Sequence, residues 1–198
     1  MLLGITIKLI MTIFNGKHPP LVALTLEELL LKEIPKRNNL LSPWLPSQGL
    51  CMIYSSRGLG KTWMALAIAH AVASNDSFLS WETESPKGVL YIDGEMPMAV
   101  MQERLAQIVT SSSKEISAPF SIITPDAQEF GIPDLSKTDG QERINKLISD
   151  ETKLIVMDNL SSLTRTGKEN EGESWLPVQE WALRLRSRGK TVLFIHHS

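Results

Sequence analysis

The segment SSRGLGKT, Ser55–Thr62, constrains the fold more than any other part of the sequence. It matches the pattern G-x-x-x-x-G-K-[ST], except that Ser55 stands where the pattern has its first glycine. The apolar run Leu50–Tyr54 precedes the segment, and the mostly apolar run Thr62–Ser74 follows its lysine. This order predicts a buried strand, a glycine-rich loop and a helix sandwiched in the core, which is the context that a phosphate-binding loop requires.

A loop of this type binds anions because the N–H groups at the start of its helix are unpaired and the helix dipole favours negative charge there. Gly58 and Gly60 would let the backbone approach a phosphate closely. Lys61 is predicted to reach the β- and γ-phosphates of ATP, and Thr62 to bind Mg²⁺. The nucleotide-binding residues are therefore predicted to be Ser56, Arg57, Gly58, Leu59, Gly60, Lys61 and Thr62.

The serine at position 55 leaves two interpretations. A residue other than glycine costs about 1–2 kcal/mol only where the backbone must be left-handed. Ser55 lies at the end of the predicted strand, away from the tightest part of the loop, so we expect it to be tolerated. The alternative is a strand–turn–helix unit that binds nothing.

Short apolar runs recur along the chain and alternate with helical patterns. The runs lack strict alternation of polar and apolar residues, which is typical of strands buried on both faces of a parallel sheet. This succession predicts an α/β fold with a mostly parallel twisted sheet and helices on both faces. The strands are predicted at Leu50–Tyr54, Val89–Asp93, Ser121–Thr124, Leu154–Asp158 and Thr191–His196. The helices are predicted at Thr62–Ser74, from Pro97, around Ile144, Leu147 and Ile148, and across Val178–Leu185, where Gly189 ends the last one.

The residues before this core are predicted to form an arm, a short helix and a linker. Met1–Phe14 is apolar but too short to span a bilayer, and it lacks the features of a signal peptide, so it is either a packing arm or a segment upstream of a start at Met11. Thr25 and Glu28 are spaced as a capping box. The prolines of Asn38–Gly49 indicate a linker. The predicted domains are therefore residues 1–48 and a core of residues 49–198.

The composition limits the partners and the compartment. A net charge of -2 gives the chain no general attraction for nucleic acid, so any DNA contact has to be local. The single cysteine, Cys51, excludes a disulfide framework and favours a reducing compartment, so we expect a cytoplasmic protein that is not bound to a membrane. Arg165 and Lys168 lie in a polar loop that also carries glutamates. A second basic group lies at the end of the last predicted helix. Its positive charge either stabilises the C-terminus of that helix or contacts a DNA backbone. The group comprises Arg184, Arg186, Arg188 and Lys190.

Acidic residues follow two of the predicted strands. Asp158 ends an apolar run, where it would hold the water shell of a metal ion or would cap a turn. Glu95 lies in the segment YIDGEMP and is the predicted general base that positions an attacking water. Asp93 either sits beside Glu95 or only satisfies amides of the loop. The alternative for this pair is a turn whose acids lie near the positive end of a helix.

Two histidines, His196 and His197, end the last apolar run. At the end of a buried strand, His197 would donate to a γ-phosphate and sense its loss. The alternative is a pair of ordinary polar residues at a strand exit. Metal ligation by them is not expected, because no other His or Cys shows ligand spacing.

Together these segments resemble the RecA-like ATPase family, and most closely the RepA-type replicative helicases of plasmids and phages. Tyr91–Glu95 resembles the strand that carries the family's catalytic glutamate. Leu154–Leu163 resembles the Walker B segment, and Val192–Ser198 resembles the strand whose polar end senses the γ-phosphate. The order of Glu169–Asn170 before the Trp175 helix, and of Thr25–Glu28 before Trp44–Pro46, is similar as well, so the resemblance covers Leu24 to Ser198.

The resemblance implies a sheet in which the loop strand, the histidine strand, the Asp158 strand and the Glu95 strand lie side by side in that order. It also implies homo-oligomeric rings, usually hexamers, with ATP at subunit interfaces and an arginine or lysine finger from a neighbour. Single-stranded DNA is the implied partner. Family members continue beyond the position of Ser198 with further strands and DNA-contacting loops, so we expect this chain to be truncated at its C-terminus.

Three functions are compatible with these features. The first is the ATP-hydrolysing domain of a DNA helicase or replication protein that acts on single-stranded DNA. The second is a RecA-like, ATP-switched recombination or regulatory protein that unwinds nothing. The third is a small-molecule kinase, although we find no stretch of basic lid residues in the sequence.

Overall fold

The structure is a computed structural model that describes residues 21–34, 38–164 and 171–197, with the backbone alone for residues 171–174. The chain forms two compact units, Met1–Lys36 and Arg37–Ser198. The second unit therefore begins before residue 49, where the core was predicted to start. Within the described part of the chain, no helix has the length and apolar character needed to cross a membrane.

The described part of the first unit contains α1 (Leu26–Leu31). Thr25 is its N-cap: the Thr25 hydroxyl accepts a hydrogen bond from the Glu28 N–H at 3.2 Å, and the Glu28 carboxylate accepts one from the Thr25 N–H at 2.8 Å. These bonds satisfy two N–H groups that the helix itself leaves unpaired. The predicted capping box is confirmed.

The second unit alternates strands and helices along the chain. In chain order its elements are β1 (Asn39–Leu41), β2 (Leu45–Pro46), β3 (Leu50–Ser55), α2 (Lys61–Ser74), β4 (Ser77–Phe78), β5 (Trp81–Glu82), β6 (Gly88–Asp93), α3 (Met98–Ser111), β7 (Phe120–Ile123), a short 3₁₀ helix (Pro125–Ala127), α4 (Thr138–Asn145), β8 (Thr152–Asp158), α5 (Leu160–Leu163), α6 (Glu171–Ser187) and β9 (Thr191–His197).

Among the described residues, five strands form one parallel sheet in the order β3–β9–β8–β6–β7. The predicted α/β fold is confirmed, and so is the order of four adjacent strands that the resemblance implies. Because the strands run parallel, their carboxyl ends meet at one edge of the sheet, where open α/β sheets bind ligands.

Helices cover both faces of the sheet, so the central strands are buried on both sides. On β6, Val89 and Tyr91 pack in the cluster that contains α2 and α3. Leu90 and Ile92, which alternate with them, pack in the cluster that contains α4, α5 and α6. This arrangement explains why the sequences of these strands are continuous apolar runs.

The strand β3 differs from the prediction, which took Leu50–Tyr54 to be buried. It lies at the edge of the described sheet, with β9 on one side. None of its side chains is fully buried, and Met52 and Tyr54 are exposed. Apolar composition alone does not distinguish an edge strand from a central one, since that depends on which strands pair.

Two of the predicted helices are confirmed closely and one is displaced. The helix α2 is buried along most of its length, as its apolar sequence predicts, and Val178, Trp181, Ala182 and Leu185 of α6 are buried. By contrast, α4 ends at Asn145 instead of including Leu147, which is exposed. Beyond Asn145, the Leu147 N–H donates to the carbonyl of Ile144, three residues earlier, instead of four residues earlier as in an α-helix. The chain therefore forms a turn there.

The interpretation of Asn38–Gly49 as a linker is wrong. Strands β1 and β2 pair antiparallel within it, and Leu40, Leu41 and Leu45 are buried in the core. The Trp44 ring also meets the Trp81 ring edge to face, with 5.1 Å between their centroids. Pro43 lies in the turn between the two strands and Pro46 in β2, so the prolines belong to a small sheet that packs on the core.

Candidate nucleotide-binding site

The loop between β3 and α2 shows where glycine is required. Gly58 and Gly60 have φ angles of +81° and +82°, in the left-handed region that side chains other than glycine disfavour. Ser55 does not adopt a positive φ, and it lies at the end of β3. The backbone therefore requires glycine at positions 58 and 60 and accepts serine at position 55, as the sequence predicts.

The N-terminus of α2 is suited to an anion. Gly60 is its N-cap, and the described residues supply no side-chain cap to its first N–H groups. Residues 56–60 are exposed to solvent. Unpaired N–H groups at the positive end of a helix dipole attract negative charge, and here the loop leaves them accessible.

The ammonium group of Lys61 folds back onto the first residues of the loop. It donates to the Ser55 carbonyl at 2.6 Å, to the Ser56 carbonyl at 2.7 Å and to the Ser55 hydroxyl at 3.3 Å. An ammonium group has three N–H donors, so these acceptors can occupy all of them. The serine that departs from the loop pattern thus contributes a contact to the loop lysine.

Asp158, at the end of β8, connects the sheet to the start of α2. Its carboxylate accepts a hydrogen bond from the Tyr91 hydroxyl at 2.6 Å and another from the Thr62 side chain. Burial raises the pKa of Asp158, whereas these two hydrogen bonds lower it. Burial also holds the pKa of Tyr91 well above its ordinary value, so its hydroxyl stays protonated and donates.

Asp93 ends β6 and Glu95 lies in the turn that follows, and their surroundings differ. The Asp93 carboxylate is buried and accepts a hydrogen bond from the Met96 N–H at 2.8 Å. Burial raises the pKa of Asp93 to about 7, and the nearby charge of Asp158 adds to the shift. The Glu95 side chain is 60% exposed. Of the two alternatives for Asp93, the structure therefore supports the one in which it satisfies loop amides.

His197, at the end of β9, contacts residues that follow each of the two acidic strands. Its Nε2 is 3.7 Å from Glu95 Oε1 and 3.0 Å from Asn159 Nδ2. Asn159 is a site residue that sequence reasoning did not single out, although its position directly after Asp158 was a signal. The neighbouring His196 stacks on Tyr54, with 6.0 Å between the ring centroids.

The structure brings most of the predicted site residues to the carboxyl edge of the sheet. Thr62 contacts Asp158, and Glu95 contacts His197. No group of three or more His, Cys, Asp or Glu side chains able to hold a metal occurs among the described residues. A magnesium ion at Thr62 and Asp158 would therefore complete its shell with water and phosphate oxygens, which fits the preference of Mg²⁺ for a few protein ligands.

The basic residues considered for DNA binding fall into two sets. Arg165 and Lys168 lie outside the described residues. Lys190 is buried and donates to the carbonyls of Ser149 and Thr152 at 2.7 and 2.8 Å, so it has a structural role. Arg184 donates to the Gln141 side chain at 3.0 Å.

Comparison with known proteins places the chain in a family. A family model described as "AAA domain" matches residues 17–198. No curated protein matches the chain. Since the family match covers far more than half of the sequence, the chain belongs to the AAA domain family and is an ATP-binding P-loop ATPase domain with a RecA-like α/β fold.

Proposed function

We propose that this domain binds Mg·ATP at residues 56–62 and hydrolyses it with Glu95 as general base. The observation that carries the proposal is the order of the strands. Four neighbouring parallel strands end in the loop that leads to Lys61, in His197, in Asp158 and in the turn that holds Glu95. Residues that are far apart in the chain thereby converge on the start of α2, where a phosphate would lie.

Each side chain has a role that its surroundings support. Lys61 exchanges its loop carbonyls for the β- and γ-phosphate oxygens. Glu95 is the carboxylate best suited to position water, because it is exposed while the nearby Asp93 carboxylate is held by the Met96 N–H. His197 contacts Glu95 and is suited to respond when a γ-phosphate arrives or leaves.

Thr62 and Asp158 are the residues that would hold the magnesium ion. The Thr62 hydroxyl would bind it directly, and the Asp158 carboxylate would bind its water shell. Bound there, the ion would neutralise charge that develops on the phosphate oxygens. The hydrogen bond from Tyr91 fixes the orientation of the Asp158 carboxylate.

We further propose that ATP hydrolysis serves a DNA helicase or replication protein that acts on single-stranded DNA as a ring of copies, usually six. The resemblance of the three strand-end motifs to RepA-type helicases supports this assignment. The competing candidate is an ATP-switched recombination or regulatory protein. ATP turnover that rises with single-stranded DNA, together with strand separation, would favour the helicase. ATP-dependent assembly without strand separation would favour the competitor.

Two substitutions test the ATPase site. Lys61→Ala should abolish binding of a fluorescent ATP analogue, while the exposed-site control Lys146→Ala should bind it like the wild type. Glu95→Gln should retain binding but lower kcat by about 10²–10⁴-fold, the usual contribution of a general base. If Glu95→Gln released phosphate at the wild-type rate, the assignment of the base would be wrong. If Lys61→Ala bound the analogue normally, the loop would not be the nucleotide site.

A further inference from the structure

The carboxamide of Asn159 links the turn after β8 to the end of β9. Its Oδ1 accepts a hydrogen bond from the Ser162 N–H at 3.0 Å, and its Nδ2 lies 3.0 Å from Nε2 of His197. Asn159 is 1% exposed, so water does not compete for either contact. Both ends of this one side chain are therefore used by the protein.

The contact with Ser162 fixes which way the carboxamide points. A backbone N–H can only donate, so the Asn159 atom that faces it must be the oxygen. The NH₂ group then faces His197, and it too can only donate. Nε2 of His197 must accept this hydrogen bond, so it carries no proton. A neutral imidazole in that state bears its single proton on Nδ1.

The second neighbour of His197, Glu95, favours the opposite position of the proton. The Glu95 carboxylate can only accept, so it favours a proton on Nε2. Its oxygen is 3.7 Å from Nε2, beyond hydrogen-bonding distance, whereas the Asn159 nitrogen is at 3.0 Å. The closer contact decides the position of the proton. Nδ1 of His197 is buried and has no hydrogen-bond partner among the described residues.

We propose that Asn159 is a positioning residue that holds His197 neutral with its proton on Nδ1, so that Nε2, the ring nitrogen that faces Glu95, bears no proton. The position of the proton follows from the contacts of Asn159 with Ser162 and His197. The role of His197 beside Glu95 rests on the proposed function, so Asn159 would act on ATP turnover only through His197.

The position of the proton can be observed directly in the nucleotide-free chain. Long-range ¹H–¹⁵N correlation spectra of protein labelled with ¹⁵N-histidine distinguish the two ring nitrogens, and His197→Gln identifies the signals of His197. We expect a protonated Nδ1 and an unprotonated Nε2 at neutral pH. A proton on Nε2, in either a neutral or a doubly protonated ring, would overturn the proposal.

Two variants test whether Asn159 sets the position of the proton on His197. Asn159→Asp keeps an oxygen for the Ser162 N–H but replaces the donor at His197 with an acceptor, so the proton should move to Nε2 or the ring should become doubly protonated. Ser162→Ala alters the same turn but keeps the backbone N–H, and its spectrum should match the wild type. If Asn159→Asp folded and gave the wild-type spectrum, Asn159 would not set the tautomer. If this variant did not fold, the wild-type spectrum would still decide the position of the proton.

A nucleotide titration separates this inference from the proposed function. With Mg²⁺ and a non-hydrolysable ATP analogue, we expect the ring signals of wild-type His197 to shift. If the analogue bound and these signals stayed in place, His197 would not respond to the nucleotide. If the analogue did not bind at all, the proposed function would fail. The tautomer observed without nucleotide would be unaffected by that result.

Discussion

Asp93 and Asp158 face each other on the adjacent strands β6 and β8, yet their carboxylates have different partners. Asp93 accepts a hydrogen bond from the Met96 N–H in its own turn. Asp158 accepts hydrogen bonds from Tyr91 and Thr62, and so it is joined to the first turn of α2. One acid stabilises a local turn, while the other connects two distant segments at the candidate site.

The residues that follow each aspartate explain this difference. Gly94 lets the chain turn closely against Ser162 and bring the Met96 N–H back to Asp93. After Asp158, the carboxamide of Asn159 takes the Ser162 N–H, which leaves the Asp158 carboxylate available to Tyr91 and Thr62. Equivalent positions in a sheet therefore do not imply equivalent roles, because the next turn of the chain decides which groups reach each carboxylate.

The largest expected effect compares the two aspartates directly. Asp158→Asn should lower kcat for ATP by about 10²–10³-fold, because it removes a charge that supports the metal and its water shell. Asp93→Asn should lower kcat by less than about tenfold, because an amide oxygen still accepts from the Met96 N–H. Phosphate release at saturating Mg·ATP measures both. Equal losses in the two variants would remove the distinction between the aspartates.

The second prediction concerns the hydroxyl that holds Asp158. Tyr91→Phe should lower the free energy of unfolding by about 2 kcal/mol, the usual range for a hydrogen bond to a charged group. It should also raise the pKa of Asp158 further, because the hydrogen bond from Tyr91 lowers it. Urea unfolding measures the first effect. The matched control is Tyr54→Phe, at an exposed tyrosine, which should change stability by less than about 0.5 kcal/mol; equal effects would contradict the prediction.

The third prediction concerns the close turn after Asp93. A Cβ atom at Gly94 would lie 2.1 Å from the Ser162 hydroxyl oxygen and 2.9 Å from its Cβ. Gly94→Ala should therefore destabilise the fold by about 1–2 kcal/mol through overpacking. Ser162→Gly removes both atoms, so it should recover part of the loss in the double variant. A double-mutant cycle measured by urea unfolding tests this coupling, and strictly additive effects would argue against it.

The last prediction concerns the pH dependence of stability. The pKa of Asp93 is raised from an ordinary value of 3.8 to about 7 in the folded protein. The folded state therefore binds more protons than the unfolded state between these values, and the free energy of unfolding falls as pH rises through this range. The slope from this group is at most about 1.4 kcal/mol per pH unit.

Asp93→Asn removes this titration. The stability of the variant relative to the wild type should rise from about pH 4 to about pH 7 and then level off. Urea unfolding without nucleotide or metal measures the difference. A difference that stayed constant over this range would mean that Asp93 titrates normally.

Local patterns in the sequence predicted the strands, the loop and most helix positions, because these depend on residues that are close in the chain. The spacing of Thr25 and Glu28 predicted the capping box, and Pro97 predicted the start of α3. The contact of Asn159 with His197 could not be predicted in this way, because it joins two strand ends that are far apart in sequence. The same reason explains the missed pairing of β1 with β2 and the edge position of β3. The role of Asp93, which the sequence left open, needed the Met96 N–H, which no spacing rule identifies.

The resting position of Lys61 has a consequence for which ligands can bind. Any anion that recruits its ammonium group must separate it from the oxygens of Ser55 and Ser56. A small ion such as free phosphate offers few new contacts in exchange, whereas a nucleoside triphosphate can also engage the N–H groups along the loop. The oxygens of Ser55 and Ser56 thus compete with any anion for Lys61, and we expect this competition to favour long polyphosphates over the inorganic anions that are abundant in a cell.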